Sequence, residues 1–261
     1  MSKIQEKDDF GNRMKSYEDQ NRLFVDTQLP VIIRLDGSHF STYVRGCKKP
    51  YDDNLIRVMN ETAKYLCAHV HGARMAYIQS DEISILLNSY THANTQCWFN
   101  GNIQKMASVS AGMASAVFSN LSPEIFGTYK MATFDSRVFN VPLHEVSNVF
   151  LWRQQDAMRN SVSSYARTYF SDKEMFGKST SQLKQMVIDK GFPWEGINHE
   201  YKMGRVVLKE NMEKEFINPI TKEAITAIRG DWVVDNKIPL FSADRDYIER
   251  FSCKREDDAT T

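Results

Sequence analysis

The sequence predicts an α+β fold in which a βαββαβ unit, the ferredoxin-like arrangement, is followed by a mainly helical extension. Three observations predict it. Short β-rich runs alternate with segments of helical periodicity, two of the runs flank a polar turn, and Gly or Pro residues separate the elements. We expect residues 1–145 to form the first domain. Residues 146–261 form a helical or mixed extension that packs on it.

The elements of the first domain follow in the order that this fold requires. The predicted strands are residues 31–35, 73–78, 83–87 and 131–141. The first helix is capped by Asp52 or Asp53, carries apolar residues at three- and four-residue intervals, and stops at Gly72. The second helix covers residues 102–121 and is closed by Ser122-Pro123. Between the second and third strands lies the polar turn 79–82.

The extension is more polar than the first domain. Its predicted helices are residues 152–170 and 181–190, and residues 205–209 are a late strand. From Trp152 to Lys190 there are more basic than acidic residues, although the whole chain carries 33 of each. We expect the polar stretch 254–261 to be frayed.

Composition excludes several classes of protein. A formal net charge of zero excludes a polybasic nucleic-acid coat, and 42% hydrophobic residues exclude a disordered chain. The four cysteines (Cys47, Cys67, Cys97 and Cys253) form no C-x-x-C pair, which argues against structural zinc or a disulfide framework. The charged N-terminus and the absence of a long apolar run predict a soluble cytoplasmic protein without a secretory signal or membrane span.

Acidic residues follow the first strand and precede the third. In a split βαβ sheet the third strand lies between the first two and is antiparallel to both, so Asp36 and Asp81 are predicted neighbours. Glu82 follows Asp81, and alternation along a strand should direct it to the other face. Each motif alone is as typical of a solvated turn. Their predicted convergence favours an active site.

Carboxylates that converge repel one another unless cations neutralise them. Mg²⁺ is the expected occupant, because it takes carboxylate, carbonyl and water oxygens and shares its shell with substrate phosphates. Two such ions suit phosphoryl or nucleotidyl transfer. The sequence therefore predicts a magnesium-dependent reaction at this strand edge.

The motifs in this order resemble the tRNA-histidine guanylyltransferase family, and in particular its bacterial and archaeal guanylyltransferase-like branch. The resemblance spans residues 29–208. The motifs are Arg34-Leu35-Asp36-Gly37, Lys49-Pro50-x-Asp52, Gln79-Ser80-Asp81-Glu82, Phe99-Asn100-Gly101, Phe134-Asp135-x-Arg137 and Trp152-Arg153-Gln154-Gln155-Asp156. This resemblance implies a polymerase-palm domain that adds nucleotides to the 5′ end of tRNA, in the 3′-to-5′ direction. The 5′ monophosphate is activated by ATP or GTP, and a nucleoside triphosphate then supplies the attacking 3′ hydroxyl.

The resemblance also implies the roles of individual residues. Asp36 and Asp81 would hold two Mg²⁺ ions with the carbonyl of Gly37, and Glu82 would be a third catalytic acid. The nucleotide-contacting positions implied are Asp36, Gly37, Ser38, His39, Phe40, Ser41, Lys49, Ser80, Asp81 and Lys105. Both lysines would offset phosphate charge, and the alternative for each is an ordinary surface charge. Lys105 favours function more than Lys49 does, because it lies one turn into a helix otherwise poor in charge.

Contact with tRNA is expected from the extension. The residues that the resemblance favours are Arg153, Arg159, Asn160, Lys178, Lys202 and Arg205. A basic helix with aromatic residues suits RNA, although a solvated amphipathic helix has the same pattern. The family's tendency to form tetramers from dimers implies a homotetramer here.

The sequence departs from the eukaryotic pattern at two histidine positions. After the W-R-Q segment eukaryotic members carry a histidine followed by Ile-Asn-Asn, whereas here Asp156 leads into Ala157-Met158-Arg159-Asn160-Ser161. Ser41 replaces a second histidine of the eukaryotic pattern. These changes favour template-directed repair of 5′-truncated tRNA over strict addition of G−1 to tRNA-histidine. Alternatives are a palm-type nucleotide cyclase, a conventional nucleotidyltransferase, or a noncatalytic RNA-binding protein with the same sheet.

Overall fold

The computed structural model describes residues 9–89, 95–217 and 224–252. The predicted frayed stretch 254–261 and Cys253 lie outside the described residues. The strands are β1 Val31–Gly37, β2 Ala73–Gln79, β3 Glu82–Leu87, β4 Phe134–Asn140, β5 Arg205–Ile217 and β6 Ala224–Asp235. The α-helices are α1 Asp9–Asp19, α2 Phe40–Tyr43, α3 Asp53–His69, α4 Ile103–Leu121, α5 Pro123–Phe126, α6 Val146–Ala166, α7 Asp172–Met175, α8 Thr180–Asp189, α9 His199–Met203 and α10 Asp246–Glu249.

The strands form one antiparallel sheet in the order β4-β1-β3-β2-β5-β6. β3 lies between β1 and β2 and is antiparallel to both, as the sequence predicts. The mixed α+β class is confirmed. This strand order brings the end of β1 beside the start of β3, where the acidic residues lie.

Alternating side chains of the sheet supply two apolar layers. Ile33 and Leu35 on β1 face a core that includes residues of α3 and α4, whereas Ile32 faces a second core with residues of α6. Helix α3 is held at its start by Asp52, whose carboxylate accepts hydrogen bonds from the amides of Asn54 and Leu55. The sheet therefore has a helix-covered face on each side, and α6 covers the face that carries Asp36.

The extension differs in detail from the prediction. The strand expected at residues 205–209 is the start of β5 and belongs to a long hairpin with β6. Only its first residues pair with β2. The outer half of β5 is rich in charged residues, so it has no apolar run from which a strand would be predicted. Helix α6 begins at Val146, earlier than the expected residue 152.

Within the described parts of the chain, no helix combines the length and apolar character needed to cross a bilayer.

Candidate active site

Three carboxylates lie in a row across the ends of β4, β1 and β3. Asp36 is the register partner of Glu82 on β3 and of Asp135 on β4. Partners directly opposite one another in antiparallel strands project from the same face. The expectation that Glu82 points to the other face from the site is therefore wrong. Glu82 is the direct neighbour of Asp36, and Asp81 lies in the adjoining turn.

The turn between β2 and β3 consists of Ser80 and Asp81, because Gln79 and Glu82 are already paired. Ser80 has a left-handed backbone, with φ of 48°, which suits a two-residue hairpin. The carbonyl of Asp81 accepts a hydrogen bond from the amide of Gly37 at 3.2 Å. The predicted proximity of the two acidic loops is confirmed by this backbone contact.

The acidic residues line a cavity of about 620 Å³ between the sheet and α6. The sheet contributes Asp36 and the segment Gln79 to Glu82, together with Arg34. The facing wall comes from α6 and the turn after it, and its residues are Trp152, Arg153, Asp156, Asn160, Ser163, Ser164 and Arg167. Apart from the indole of Trp152, the walls carry polar or charged side chains, so the cavity suits a charged and hydrated ligand.

Glu82 is held in place by hydrogen bonds. Its Oε1 accepts from Nε of Arg153 at 2.8 Å and from Oγ of Ser84 at 3.1 Å, and its Oε2 accepts from Nε2 of Gln79 at 3.3 Å. The side chains of Arg153 and Glu82 are only 7% and 9% exposed. Glu82 therefore occupies a fixed, charge-compensated position.

Asp156 continues this network along α6. Its Oδ2 accepts from Nη2 of Arg153 at 2.6 Å, and its Oδ1 accepts from Nη2 of Arg159 at 3.1 Å. Asn160 donates to the same carboxylate at 3.4 Å. A buried carboxylate on β3 is thus connected through Arg153 and Asp156 to exposed donors on the helix.

Burial and repulsion from neighbouring carboxylates raise the pKa values of Asp36 and Asp81. Burial, and then the negative charge of Asp135, raise the pKa of Asp36 above its ordinary value, and nearby arginines oppose the shift. Burial also raises the pKa of Asp81, with further contributions from the charges of Asp36 and Glu82. Both shifts have burial as their main cause, and repulsion between neighbouring carboxylates adds to it.

The segment from residue 36 to residue 41 contains both exposed side chains and a side chain of the apolar core. Ser38 donates its amide to the carbonyl of Thr133 at 2.8 Å, and His39 and Ser41 are exposed. Phe40 is 4% exposed and belongs to the apolar core, where its ring packs on Tyr43. The side chain of Phe40 is therefore part of the core, and the expected nucleotide contact at this position stays a prediction.

Gly37 is required by the same packing. A Cβ at this position would overlap the ring of Phe40. The residue after Asp36 therefore has to be glycine for the chain to turn towards α2 while Phe40 enters the core.

The two lysines predicted to meet phosphates do not line the carboxylate cavity. Lys49 is exposed in the loop before α3. Lys105 lies in the first turn of α4 and lines a separate cavity of about 950 Å³ with Asn102 and Trp98. The structure brings neither lysine to the acidic cavity.

The expected RNA contacts fall into two groups. Arg159, Asn160 and Lys178 are exposed, and Lys202 is partly exposed, with its Nζ bonded to the carbonyl of Glu195 at 2.9 Å. In contrast, Arg153 and Arg205 are 6% and 3% exposed.

Arg205 donates from Nε to Asn60 at 2.7 Å, and burial lowers its pKa to about 10. Arg153 is committed to Glu82 and Asp156. Both guanidinium groups are buried and have protein partners, although Arg153 also lines the carboxylate cavity. The expected tRNA contacts of these two residues stay predictions.

Several residues of the cavity were not assigned from the sequence. Arg34 lies in a motif that was recognised, but its position next to the cavity depends on strand register. Its guanidinium lies over the Trp152 ring, 5.7 Å from the centroid. Ser163, Ser164 and Arg167 follow Asn160 at helical spacing, and this periodicity is the signal that identifies them.

The donor set fits a hard cation only in part. Among the residues that the structure describes, no group of three or more His, Cys, Asp or Glu side chains is close enough to hold a metal ion. Glu82 forms an ion pair with Arg153, whereas within the described residues Asp36 and Asp81 form no such direct ion pair. Mg²⁺ is commonly held by one or two carboxylates plus water and substrate phosphates, so this pair fits that ion.

Comparison with known proteins identifies the family. Residues 11–142 match the family model described as tRNAHis guanylyltransferase. A bacterial tRNA(His) guanylyltransferase-like protein, solved in complex with ATP, is 40% identical with a TM-score of 0.84. The alignment covers 94% of this chain and 99% of that protein. A complex described in the same words but with GTP is 39% identical, with a TM-score of 0.81 and coverage of 95% and 100%.

A curated relative agrees with these structures. The tRNA(His) guanylyltransferase of Debaryomyces hansenii is 28% identical over 218 residues, which are 76% of this chain and 79% of the relative. The matching segment of the family model includes Asp36, Asp81 and Glu82 and therefore the acidic strand edge described above. The chain belongs to the tRNA(His) guanylyltransferase family of nucleotidyltransferases.

Proposed function

We propose that the chain is a 3′-to-5′ nucleotidyltransferase that extends or repairs the 5′ end of tRNA. The observation that carries the proposal is the convergence of Asp36 and Asp81 in one polar cavity at adjoining strand ends. Membership of the family supports tRNA as the substrate, and the relatives solved with ATP and GTP support nucleoside triphosphates as co-substrates.

In the proposed reaction the 3′ oxygen of the incoming nucleoside triphosphate forms a bond to the 5′ phosphorus of the RNA. The leaving group is AMP if the end was adenylylated and pyrophosphate if it carried a triphosphate, and the hydroxyl proton is released. Two Mg²⁺ ions, when bound with substrate, would supply charge neutralisation at the reacting phosphates. This chain's own contribution is to hold Asp36, Asp81 and the Gly37 carbonyl at one edge.

Glu82 has a different part in this proposal. Because Arg153, Ser84 and Gln79 bind its oxygens, Glu82 is positioned rather than mobile. Its charge lies next to Asp36, and Arg153 offsets it. We propose that Glu82 places a fixed negative charge, offset by Arg153, beside the two metal-binding acids.

The experiment that tests the function uses purified protein, 5′-monophosphorylated tRNA lacking its first nucleotide, ATP and the remaining triphosphates. The expected product is RNA lengthened at its 5′ end. Asp36→Ala and Asp81→Ala are expected to abolish extension while leaving RNA affinity largely unchanged. Asp189→Ala, at the exposed end of α8, is a control that retains activity.

The rival functions give different products in this assay. A cyclase would form cyclic nucleotide without lengthening RNA, and a conventional nucleotidyltransferase would extend the 3′ end. A noncatalytic RNA-binding protein would bind RNA without requiring Asp36 or Asp81. Any of these results contradicts the proposal, and persistence of 5′ extension in both aspartate variants contradicts the metal assignment.

The choice between repair and addition of G−1 is tested with an RNA panel that varies 5′ length, acceptor pairing and anticodon. We propose that template-directed repair dominates, since the segment after Asp156 lacks the eukaryotic histidine and Ser41 replaces the second one. Equal extension of truncated tRNAs with different anticodons is expected. Extension of tRNA-histidine alone would contradict it.

We further propose a cytoplasmic homotetramer. The outer half of the β5–β6 hairpin pairs with no other strand among the described residues, and exposes Met212, Ile217 and Ile228. Such apolar side chains suit a subunit contact. Light scattering during size-exclusion chromatography measures the state directly, and a monomer across micromolar concentrations would contradict the proposal.

A further inference from the structure

One face of α6 continues from the acidic site along the wall of the cavity. Asp156, Asn160, Ser163, Ser164 and Arg167 all line it. Their spacing of four, three, one and three residues places them on one side of the helical path. At about 1.5 Å per residue, the eleven steps from Asp156 to Arg167 extend for roughly 16 Å. We name this set the α6 polar face.

The donors of the α6 polar face are available to a ligand. The hydroxyls of Ser163 and Ser164 have no hydrogen-bond partner in the part of the chain that the structure describes. Arg167 is 61% exposed and its ion pair with Asp172, at 3.3 Å, is a surface contact. Such pairs contribute little to stability, so a phosphate can replace the carboxylate at small cost.

At the other end of the cavity, an aromatic ring lies beside the acids. Trp152 is 49% exposed. The guanidinium of Arg153 lies 4.3 Å from the centroid of the indole ring, and the guanidinium of Arg34 lies 5.7 Å from it. Since Arg153 also binds Glu82, the ring is tied to the acidic edge. A half-exposed indole in this position is a stacking surface for a base.

These features fit a single strand of nucleic acid better than a triphosphate alone. The face is longer than a triphosphate and carries one cation, Arg167, at the end away from the acids. Neutral hydroxyl and amide donors suit phosphodiester oxygens and ribose hydroxyls, because a strand spreads its charge at one negative charge per nucleotide instead of concentrating several on one ligand. A triphosphate instead requires cations close together.

We infer that the RNA strand under extension lies along the α6 polar face, with its 5′-terminal base on Trp152 and its following phosphates on Asn160, Ser163, Ser164 and Arg167. The inference rests on the proposed function and adds the path of the RNA. It assigns a binding role to Trp152, Ser163, Ser164 and Arg167. The path runs from the site of bond formation towards the C-terminal end of α6.

The test is a combined variant, Ser163→Ala with Ser164→Ala and Arg167→Gln, compared with the native protein. Alanine is a better helix former than serine, so α6 is expected to remain folded. The matched control is Arg57→Gln. Arg57 is 53% exposed and also forms one surface ion pair, with Glu124, but it lies on α3, which packs on the opposite face of the sheet.

The RNA measured is truncated tRNA with a 5′ triphosphate, which needs no activation. The combined variant is expected to bind it about tenfold more weakly. Loss of one phosphate contact should lower the slope of log affinity against log salt by about 1. ATP affinity, measured by calorimetry, should not change, and the loss of extension should appear in KM rather than kcat.

A second readout tests the stacking surface independently. RNA should quench tryptophan fluorescence in the native protein, and this quenching should be lost in Trp152→Leu while that variant keeps its circular dichroism spectrum. Trp98 and Trp194 are buried and serve as internal references. Undiminished quenching in Trp152→Leu would overturn the placement of the terminal base.

The outcomes separate the path from the function. RNA affinity equal to that of Arg57→Gln overturns the path, even if the native protein extends RNA. A loss of ATP affinity that matches the loss of RNA affinity makes the face a triphosphate subsite and also overturns it. Failure of the native protein to extend RNA overturns the proposed function, while the binding measurements still decide the path.

Discussion

Removing Arg153 should destabilise the fold strongly, because its guanidinium neutralises a carboxylate that has little access to water. Glu82 is 9% exposed and Arg153 is 7% exposed, with 2.8 Å between Nε and Oε1. Arg153→Met keeps a stem of similar length and removes the charge. Breaking a buried pair from one side costs about 3–5 kcal/mol.

The structure places the expected cost near the lower end of that range. Glu82 would keep its hydrogen bonds from Ser84 and Gln79, at 3.1 and 3.3 Å. These bonds continue to satisfy part of its charge. We therefore expect Arg153→Met to lower the free energy of unfolding by about 3 kcal/mol. Urea denaturation measures this change, with an unchanged m-value as the sign that the unfolded states are comparable.

The same helix provides a matched control. Arg159 pairs with the same Asp156 but is 52% exposed, so Arg159→Met should cost less than about 1 kcal/mol. In the double variant Arg153→Met with Glu82→Gln, the buried charge is absent and part of the loss should be recovered. Equal costs for the two arginine variants, or no recovery in the double variant, would refute the assignment of a buried, charge-compensated Glu82.

Three further predictions concern the stability of the fold. Gly37→Ala should cost roughly 1–3 kcal/mol because its Cβ would overlap the Phe40 ring. Gly112→Ala, in α4 with open space around it, should instead stabilise by about 0.5–1 kcal/mol; urea melts in which both changes have the same sign would count against the packing argument. Asn102→Ala removes the side chain that accepts from the amide of Lys105 at 2.9 Å, and should cost about 1 kcal/mol in the same assay; an unchanged midpoint would show that this cap is dispensable. Since burial raises the pKa of Asp36 in the folded state, that state holds its proton more tightly than the unfolded chain, and stability is lost as pH rises through the interval between the two pKa values. Asp36→Asn should therefore raise the melting temperature at pH 7 in EDTA, and the gain should disappear below about pH 4, where the unfolded aspartate is also protonated; a gain that persists at low pH would mean that the charge is not its cause.

The strands and helices between residues 31 and 141 were predictable because their signals are local. Apolar runs mark β1 and β3, the spacing of Leu55 and Met59 marks α3, and Asp52 caps that helix as expected. The outer part of β5 was not, because its residues are polar and their strand state depends on pairing with β6. Propensity alone carries little information in such a segment.

The approach of the two acidic loops was predictable from the sequence, but which acidic residues of β1 and β3 lie directly opposite one another was not. Topology places β1 beside β3, but a shift of one residue in register changes which side chains share a face. That shift decides that Glu82, rather than Asp81, is the direct partner of Asp36. The sequence also does not show which basic side chains are buried. Arg153 and Arg159 both lie on α6, and only the packing of the fold makes Arg153 buried and Arg159 exposed.

Helix α6 therefore has two connected roles on the same cavity wall. Arg153, itself paired with Asp156, binds the buried carboxylate of β3. Asn160, Ser163, Ser164 and Arg167 continue along the same wall of the cavity. A single helix fixes the spacing between these two sets, because its backbone hydrogen bonds allow little change in rise or rotation. An RNA strand bound to the second set would then have its end placed at a constant distance from the acids, which is the positioning that transfer to a phosphorus atom requires. Loops joined by a flexible segment would not maintain that register.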